Sequence, residues 1–211
     1  MCQDIIKAKI ADAFAHEERT GECAELIRNR LSGAGMEPHP KKVEGLVRFV
    51  REYIELVPFY IEQARVAAAE TGLGKEMESL LSRVESYWYA EDDVIPEYLG
   101  LIGVVDDAYY SLMVLQSVSD YLARSVGEPL LAHDLTHRNK LIRRFMGEPY
   151  SSNLDRIIGD SLGEVLVERL IADLQPMLVR KIKLGGAVDD YWGEVSIEEE
   201  INERLGWLRV S

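Results

Sequence analysis

Six acidic side chains near the middle of the 211-residue chain lie close enough in sequence to share one function. They are Glu91, Asp92, Asp93, Glu97, Asp106 and Asp107. Hard cations such as Mg²⁺ and Mn²⁺ prefer clustered oxygen ligands, and a bound metal ion supports hydrolysis. If two helices bring these carboxylates together, they would form a metal site. The candidate ligands for Mg²⁺, Mn²⁺ or Zn²⁺ are Asp92, Asp93, Asp106 and Asp107.

A pair of histidines, His133 and His137, has a second spacing that suits a metal ion. Residues four apart lie on one face of a helix, so both imidazoles would reach the same ion. The pair is not the zinc-protease motif, because Asp134 follows the first histidine where that motif has glutamate, and no third ligand is evident. Both histidines are candidate ligands, with an ordinary helix surface as the alternative.

The acids also have a structural interpretation, in which they cap helices or lie in their first turns instead of binding a metal ion. Pro96 fits the first turn of a helix, since it lacks the backbone N–H that would have no partner there. Asp93 is placed to cap the same helix, because its carboxylate can accept from the unpartnered N–H groups. This pattern predicts a short helix over about 95–102.

A second, longer helix is predicted to start near Gly103 and to reach about Arg124, since apolar residues recur at three- and four-residue steps. Asp106 and Asp107 would fall in its first turn, where the helix dipole favours negative charge. The two helices together predict a hairpin.

The stretch 93–107 resembles a known family, the YkvA-like domain of unknown function. The family pattern is Asp-Leu-Ile-Pro-Asp-x-Ile-Pro-x-x-Gly-x-x-Asp-Asp. Without a gap, the chain matches it at Asp93, Ile95, Pro96, Gly103, Asp106 and Asp107. It departs from the pattern at Glu97, Leu99 and Gly100, and the stretch covers fewer than one-fifth of the residues. The resemblance implies an α-helical hairpin in the region 75–125 and adds no established activity.

The charge balance limits the partners of the chain. There are 37 Asp and Glu residues against 24 Lys and Arg residues, which gives a net charge of −13. Nucleic acids and anionic membranes need a positive surface, so no nucleic-acid binding is expected. A cation or a basic protein partner is easier to accommodate.

Cysteine content and hydropathy bear on location. Cys2 and Cys23 are far apart, which excludes a disulfide framework and fits a reducing cytoplasm. The first residues mix charged with apolar side chains, unlike a signal peptide. The longest central apolar run is shorter than the ~18 residues that span a bilayer. We therefore expect a soluble, cytoplasmic protein without a membrane span.

Helical periodicity extends through most of the chain, and no segment shows the sustained alternation of a half-buried strand. The predicted fold class is all-α, a multi-helix bundle that contains a central short-helix/long-helix hairpin. We predict a single domain over 1–211, with 32–40 as the best candidate boundary. The other predicted helices lie at about 3–31, as one bent helix or two separated near Gly21; 42–57, which Pro58 should kink or end; 59–70; 75–87; 127–145; from Ser151 or Ser152 through Leu170, bent at Pro176 and ended by Gly185 and Gly186; and after Ser196.

Two further groups each have two interpretations. Tyrosine and tryptophan side chains crowd the central stretch, where they could line a pocket or pack in the core with hydroxyls reaching nearby carboxylates. The basic residues Arg138, Lys140, Arg143 and Arg144 could bind an anion or form a solvated face.

No complete catalytic constellation, phosphate-binding loop or nucleophile motif is evident. The leading hypothesis is a non-enzymatic interaction or scaffold module that binds a protein partner or a second copy of itself. The alternative is a metal-dependent hydrolase or metal-binding protein that uses the acidic stretch. Convergence of the candidate ligands around a cation would favour the alternative, and their dispersal would count against it.

Overall fold

A computed structural model describes residues 2–71, 74–89, 94–127 and 129–163. Within these residues the chain forms seven α-helices and no strand, which confirms the predicted all-α multi-helix bundle. The helices are α1 (Cys2–Thr20), α2 (Glu22–Gly33), α3 (Pro40–Thr71), α4 (Gly74–Tyr87), α5 (Leu101–Val126), α6 (Thr136–Met146) and α7 (Tyr150–Leu162). A 3₁₀ helix, Glu97–Leu99, lies between α4 and α5. Among the helices described, none is both long and apolar enough to cross a membrane.

Helix α5 lies at the centre of the bundle. It packs against α1, α3, α4, α6 and α7. From Leu101 to Leu112 every residue is buried except the half-buried Ile102. Polar groups on a helix that is surrounded in this way must find partners inside the protein, because burying them without a hydrogen bond is costly. Asp106 and Asp107 of α5 are therefore part of the packing.

Pro58 does not end α3. The sequence predicts a kink or an end at this residue, but the helix continues from Pro40 to Thr71. Proline removes one backbone hydrogen bond, and the buried side chains of Ile54, Val57 and Ile61 on either side hold the helix on the core. Each such side chain contributes about 1.5–3 kcal/mol on burial, which offsets the cost of the proline.

The sequence left open one bent helix or two around Gly21, and the structure has two. Gly21 adopts φ 64° and ψ 25°, a left-handed conformation that glycine reaches without steric cost. The carboxylate of Glu17 accepts hydrogen bonds from the N–H groups of Cys23 at 2.8 Å and Ala24 at 3.1 Å. Glu17 therefore caps the start of α2 from α1, where negative charge suits the helix dipole.

The variant Glu17→Ala is expected to lower the free energy of unfolding by about 2 kcal/mol, because two N–H groups lose a charged acceptor in a buried place. Glu18→Ala is the matched control, since Glu18 is exposed and pairs with Arg51 at 3.2 Å. Its expected loss is about 0.5 kcal/mol. Urea unfolding followed by circular dichroism measures both losses, and equal losses would contradict the capping role.

The short helix predicted over 95–102 is wrong in extent. The 3₁₀ helix Glu97–Leu99 takes its place. Gly100 ends this turn with φ 60° and ψ −122°, a region that only glycine occupies without strain. The predicted short-helix/long-helix hairpin is thus a 3₁₀ turn followed by a long helix.

Helix α5 also begins earlier than predicted, at Leu101 instead of near Gly103. Asp106 and Asp107 therefore lie in its second turn, and the prediction that they occupy the first turn is wrong. The dipole effect is confined to the first turn, so it does not explain the two acids.

The helix predicted over 127–145 starts later, at Thr136, and is α6. Side chains of α5 bind the backbone of the intervening loop in place of helical hydrogen bonds. The N–H of Leu131 donates to Ser119 Oγ at 3.0 Å, and the N–H of Leu135 donates to Gln116 Oε1 at 2.7 Å. These tertiary bonds satisfy the loop backbone and explain why the helical pattern is not followed.

Helix α7 begins at Tyr150, so the predicted caps Ser151 and Ser152 are wrong. The N–H of Ser151 already donates to a carbonyl four residues upstream at 3.0 Å, which places both serines inside the helix. The predicted continuation through Leu170, with its bend at Pro176 and its end at Gly185 and Gly186, lies outside the described residues, as does the predicted C-terminal helix.

Candidate functional site

Two of the three acids of α5 lie inside the bundle. Asp106 and Asp107 both have 0% exposure. The backbone N–H of Ile95, itself buried, donates to Asp106 Oδ2 at 3.1 Å. Asp106 therefore ties the segment that precedes α5 to the helix itself. The sequence predicted a metal ligand or a helix-end charge here, and this anchoring contact is a different role.

Trp88 joins the end of α4 to the same part of α5. Its ring N–H donates to Ser111 Oγ at 2.8 Å, and Ser111 Oγ donates to the backbone carbonyl of Asp107 at 2.8 Å. The carbonyl of Trp88 accepts a hydrogen bond from Lys9 Nζ of α1. Three separate segments are thus linked around the acids by hydrogen bonds.

Gly100 packs directly against His16 of α1. A Cβ added at Gly100 would lie 2.9 Å from His16 Cγ and closer still to Cδ2, which is inside normal contact distance. His16 Nε2 lies 3.1 Å from Glu22 Oε2, so the ring is also in contact with the start of α2. Only glycine fits the space and the backbone conformation at this turn.

The structure places the candidate metal ligands in different settings. Asp92 and Asp93 lie outside the described residues, as does the predicted cap at Asp93. Asp106 and Asp107 are neighbours on α5. In the part of the chain that is described, no group of three or more His, Cys, Asp or Glu side chains is arranged to hold a metal ion. Binding of Mg²⁺, Mn²⁺ or Zn²⁺ by these acids stays a prediction.

The two histidines do not share a helix. His133 lies in the loop before α6, and His137 lies in the first turn of α6. The predicted placement on one helical face is therefore wrong, because α6 begins only at Thr136. Both side chains are half-buried. Metal binding by His133 and His137 stays a prediction without the support of helical spacing.

The central aromatic residues include a stacked pair and a hydrogen-bonded tyrosine. Tyr87 stacks on Tyr110 with ring centroids 4.1 Å apart. Tyr109 donates to Asp155 Oδ1 at 2.8 Å, and Arg143 Nε donates to Asp155 Oδ2 at 2.8 Å. Burial, together with the bond to Asp155, raises the pKa of Tyr109, and the same carboxylate raises the pKa of Arg143. Arg143, one member of the basic group, is therefore paired with a carboxylate of the protein itself.

A cleft of about 450 Å³ opens where α1, α2 and α3 meet. The loop between α2 and α3 contributes to its wall. Its apolar lining consists of Ala24, Pro38, Pro40, Val43 and Val47. None of its lining residues belongs to the acidic central stretch. This cleft and the acidic residues selected from the sequence thus lie in different parts of the molecule.

Three arginines line the cleft, and the sequence prediction missed them. They are Arg28 on α2 and Arg48 and Arg51 on α3. Two acidic residues, Glu17 and Glu44, also line the cleft. A signal was present, since Arg48 and Arg51 are three residues apart and share a helical face. The contribution of Arg28 depends on how α2 packs on α3, which periodicity does not reveal.

Comparison of the chain with known protein families, with curated proteins and with solved structures gives no match. The resemblance to the YkvA-like family therefore stays a prediction that depends on the stretch 93–107. Evidence about function comes from the geometry of this chain.

Proposed function

We propose that the protein is a non-enzymatic helical module that binds a protein partner or a second copy of itself. The observation that supports this proposal is the complete burial of Asp106 and Asp107. A catalytic carboxylate must reach a substrate, or a metal ion that a substrate can reach. Asp106 is enclosed by the bundle and holds Ile95 in place, so its role is one of assembly.

Charge and cysteine content support the remaining parts of the proposal. A net charge of −13 disfavours nucleic acid and leaves proteins as the partners. Burial, followed by the nearby Glu17 carboxylate, raises the pKa of Cys23 to about 12, so this thiol stays protonated and unreactive at neutral pH. A structural free thiol of this kind suits the cytoplasm, where we propose the protein acts.

The alternative function is metal binding, with or without hydrolysis. It is favoured by the two neighbouring buried carboxylates on α5, because hard cations prefer clustered oxygen ligands. Its candidate ligands are Asp92, Asp93, Asp106, Asp107, His133 and His137.

Metal analysis separates the two functions. We expect protein purified without chelator or a metal-affinity tag to contain no stoichiometric metal. Titration with Mg²⁺, Mn²⁺ or Zn²⁺ is expected to leave the melting temperature of wild type and of Asp106→Asn/Asp107→Asn unchanged. Asp107→Asn alone is the second variant, since it keeps the Asp106 bond to Ile95. Asp12→Asn, at an exposed position of α1, controls for cations that bind surface carboxylates.

Stoichiometric metal in the wild type would overturn the proposal. So would a metal-induced rise in melting temperature that both Asp107 variants lose and Asp12→Asn keeps. Either result would favour the alternative and justify a screen of phosphate-ester substrates.

A further inference from the structure

We propose that the cleft between α1, α2 and α3 binds a short acidic peptide segment of a partner protein, with an apolar side chain of that segment on the cleft wall. This inference rests on the proposed interaction function and assigns it a site. The cleft volume of about 450 Å³ lies within the range of ligand-binding pockets. It is large enough for a few peptide residues and too small for a folded domain to enter.

Arg28 is the first reason to expect an anionic ligand. Its side chain is exposed at the cleft, and it forms no ion pair with the residues that the structure describes. In a protein with 37 acidic and 24 basic residues, most cations have carboxylates available nearby. An arginine at the wall of a cavity with no carboxylate partner in the described part of the chain is available for a carboxylate from outside.

Arg48 is also available. Its contact with Glu52, one helical turn away, is a long one at 3.7 Å, and the two side chains are 57% and 42% exposed. Such surface pairs contribute little to stability, so a ligand carboxylate can replace this one at small cost. Guanidinium groups bind carboxylates through two parallel hydrogen bonds, which orients the ligand as well as attracting it.

Arg51 is held in position before any ligand arrives. Its guanidinium lies 4.4 Å from the centre of the Phe14 ring and 3.2 Å from Glu18. Cation–π stacking and an ion pair restrict the rotamers of the side chain. A positioned arginine loses less conformational entropy when a ligand binds, which favours recognition over a diffuse charge effect.

The two acids in the lining affect the cleft differently. Glu17 is buried, and its oxygens accept from the N–H groups at the start of α2, so its charge is engaged internally. Glu44 is exposed and would repel an anionic segment. The cleft should therefore select peptides whose carboxylates face the arginines and avoid Glu44.

Peptide suits this cleft better than nucleic acid. Nucleic-acid binding needs a broad positive surface that neutralises many phosphates. Here three arginines line the cleft, and the molecule has a net charge of −13. The apolar lining, Ala24, Val43 and Val47 with two prolines, gives an aliphatic side chain a place to be buried. A short segment with one apolar residue beside two or three acidic ones satisfies both features.

The experiment is fluorescence anisotropy on the full chain. The probes are fluorescein-labelled peptides of about eight residues, each with one leucine and with glutamates at varied spacing from it. Matched peptides carry glutamine in place of glutamate. We expect at least one acidic peptide to bind and its glutamine counterpart to bind at least about tenfold more weakly, with the affinity of the acidic peptide falling between about 50 mM and 300 mM salt.

Arginine variants locate the site. Arg28→Ala/Arg48→Ala is expected to weaken binding by about tenfold, since the peptide loses two exposed charge pairs. Arg156→Ala is the control, because Arg156 is an exposed arginine with its own acid one turn away at 3.4 Å, like Arg48, and lies on α7. Glu44→Gln is expected to strengthen binding. These side chains are exposed, so the variants should unfold like the wild type.

Four results would overturn the assignment of the cleft: no binding by any peptide of the panel, equal binding of the glutamine peptides, equal weakening by Arg156→Ala, or displacement of the peptide by a single-stranded oligonucleotide at similar concentration. Failure here with no metal effect in the titration above rejects the cleft and leaves the interaction function standing. Metal binding lost in the Asp107 variants rejects the function itself, so the two failures are distinguishable.

Discussion

Trp88→Ala is expected to lower the free energy of unfolding by about 4 kcal/mol, the largest effect of any single change considered for this protein. Trp88 has 0% exposure and is among the largest fully buried side chains described. Truncation removes its packing between α4 and α5, and it also removes the donor to Ser111 Oγ. Urea unfolding followed by far-ultraviolet circular dichroism measures the loss without relying on tryptophan fluorescence.

Two further variants separate packing from hydrogen bonding. Trp88→Phe keeps most of the ring volume and lacks the N–H donor. Ser111→Ala removes the acceptor and also the bond to the Asp107 carbonyl. Each is expected to lower the free energy of unfolding by about 1–2 kcal/mol. The double variant should lower it by less than the sum of the two, since both changes disrupt the same hydrogen bond. A loss below about 1 kcal/mol for Trp88→Ala would contradict the described packing.

Gly100→Ala is expected to lower the free energy of unfolding by about 3 kcal/mol. Two causes act together at this position. The backbone angles, φ 60° and ψ −122°, are strained for any residue with a Cβ. The added methyl group would also overlap the His16 ring, which must then leave its contact with Glu22. Urea unfolding again measures the effect.

A double-mutant cycle divides the two causes. His16→Ala opens space for the methyl group, so the combined variant should recover about 1 kcal/mol of the loss, while backbone strain remains. Gly127→Ala is the matched control, because Gly127 has φ 81° with no atom within 4 Å of an added Cβ. Its expected cost is about 1–2 kcal/mol. If the double variant recovers none of the lost free energy of unfolding, the His16 ring moves aside without cost and backbone strain alone destabilises Gly100→Ala.

Both predictions concern how segments distant in sequence meet around the acids of α5. Trp88 links α4 to α5, and Gly100 allows the turn before α5 to approach α1 closely. If either variant lowered the free energy of unfolding as little as an exposed substitution does, the enclosure of Asp106 and Asp107 would be in doubt. A catalytic role would then be open to these two acids.

Local pattern alone was sufficient for part of the fold. Helical periodicity predicts most of the described helices and the all-α class, since it records which face of each segment is apolar. Gly21 also marks where the first helical pattern is interrupted, because glycine reaches the left-handed conformation without cost, but the pattern left one bent helix open as well as two helices. Net charge and the scarcity of cysteine are properties of composition that folding does not change.

Other features depend on contacts between distant residues, and local pattern predicts them wrongly or not at all. Pro58 predicts a kink or an end of the helix, yet core packing on both sides keeps α3 continuous from Pro40 to Thr71. The loop before α6 has helical composition, yet Ser119 and Gln116 of α5 bind its backbone. In both cases tertiary interactions of a few kcal/mol exceed local preferences of similar or smaller size.

The candidate site shows the same division. The sequence determined by itself that acids and aromatic residues are concentrated near the middle of the chain, because that is a matter of order along it. Tertiary structure alone decided that Asp106 and Asp107 are enclosed and that Arg28 joins Arg48 and Arg51 at a cleft. Burial and the approach of separate helices are set by the packing of the whole bundle, and spacing along one segment contains no information about them.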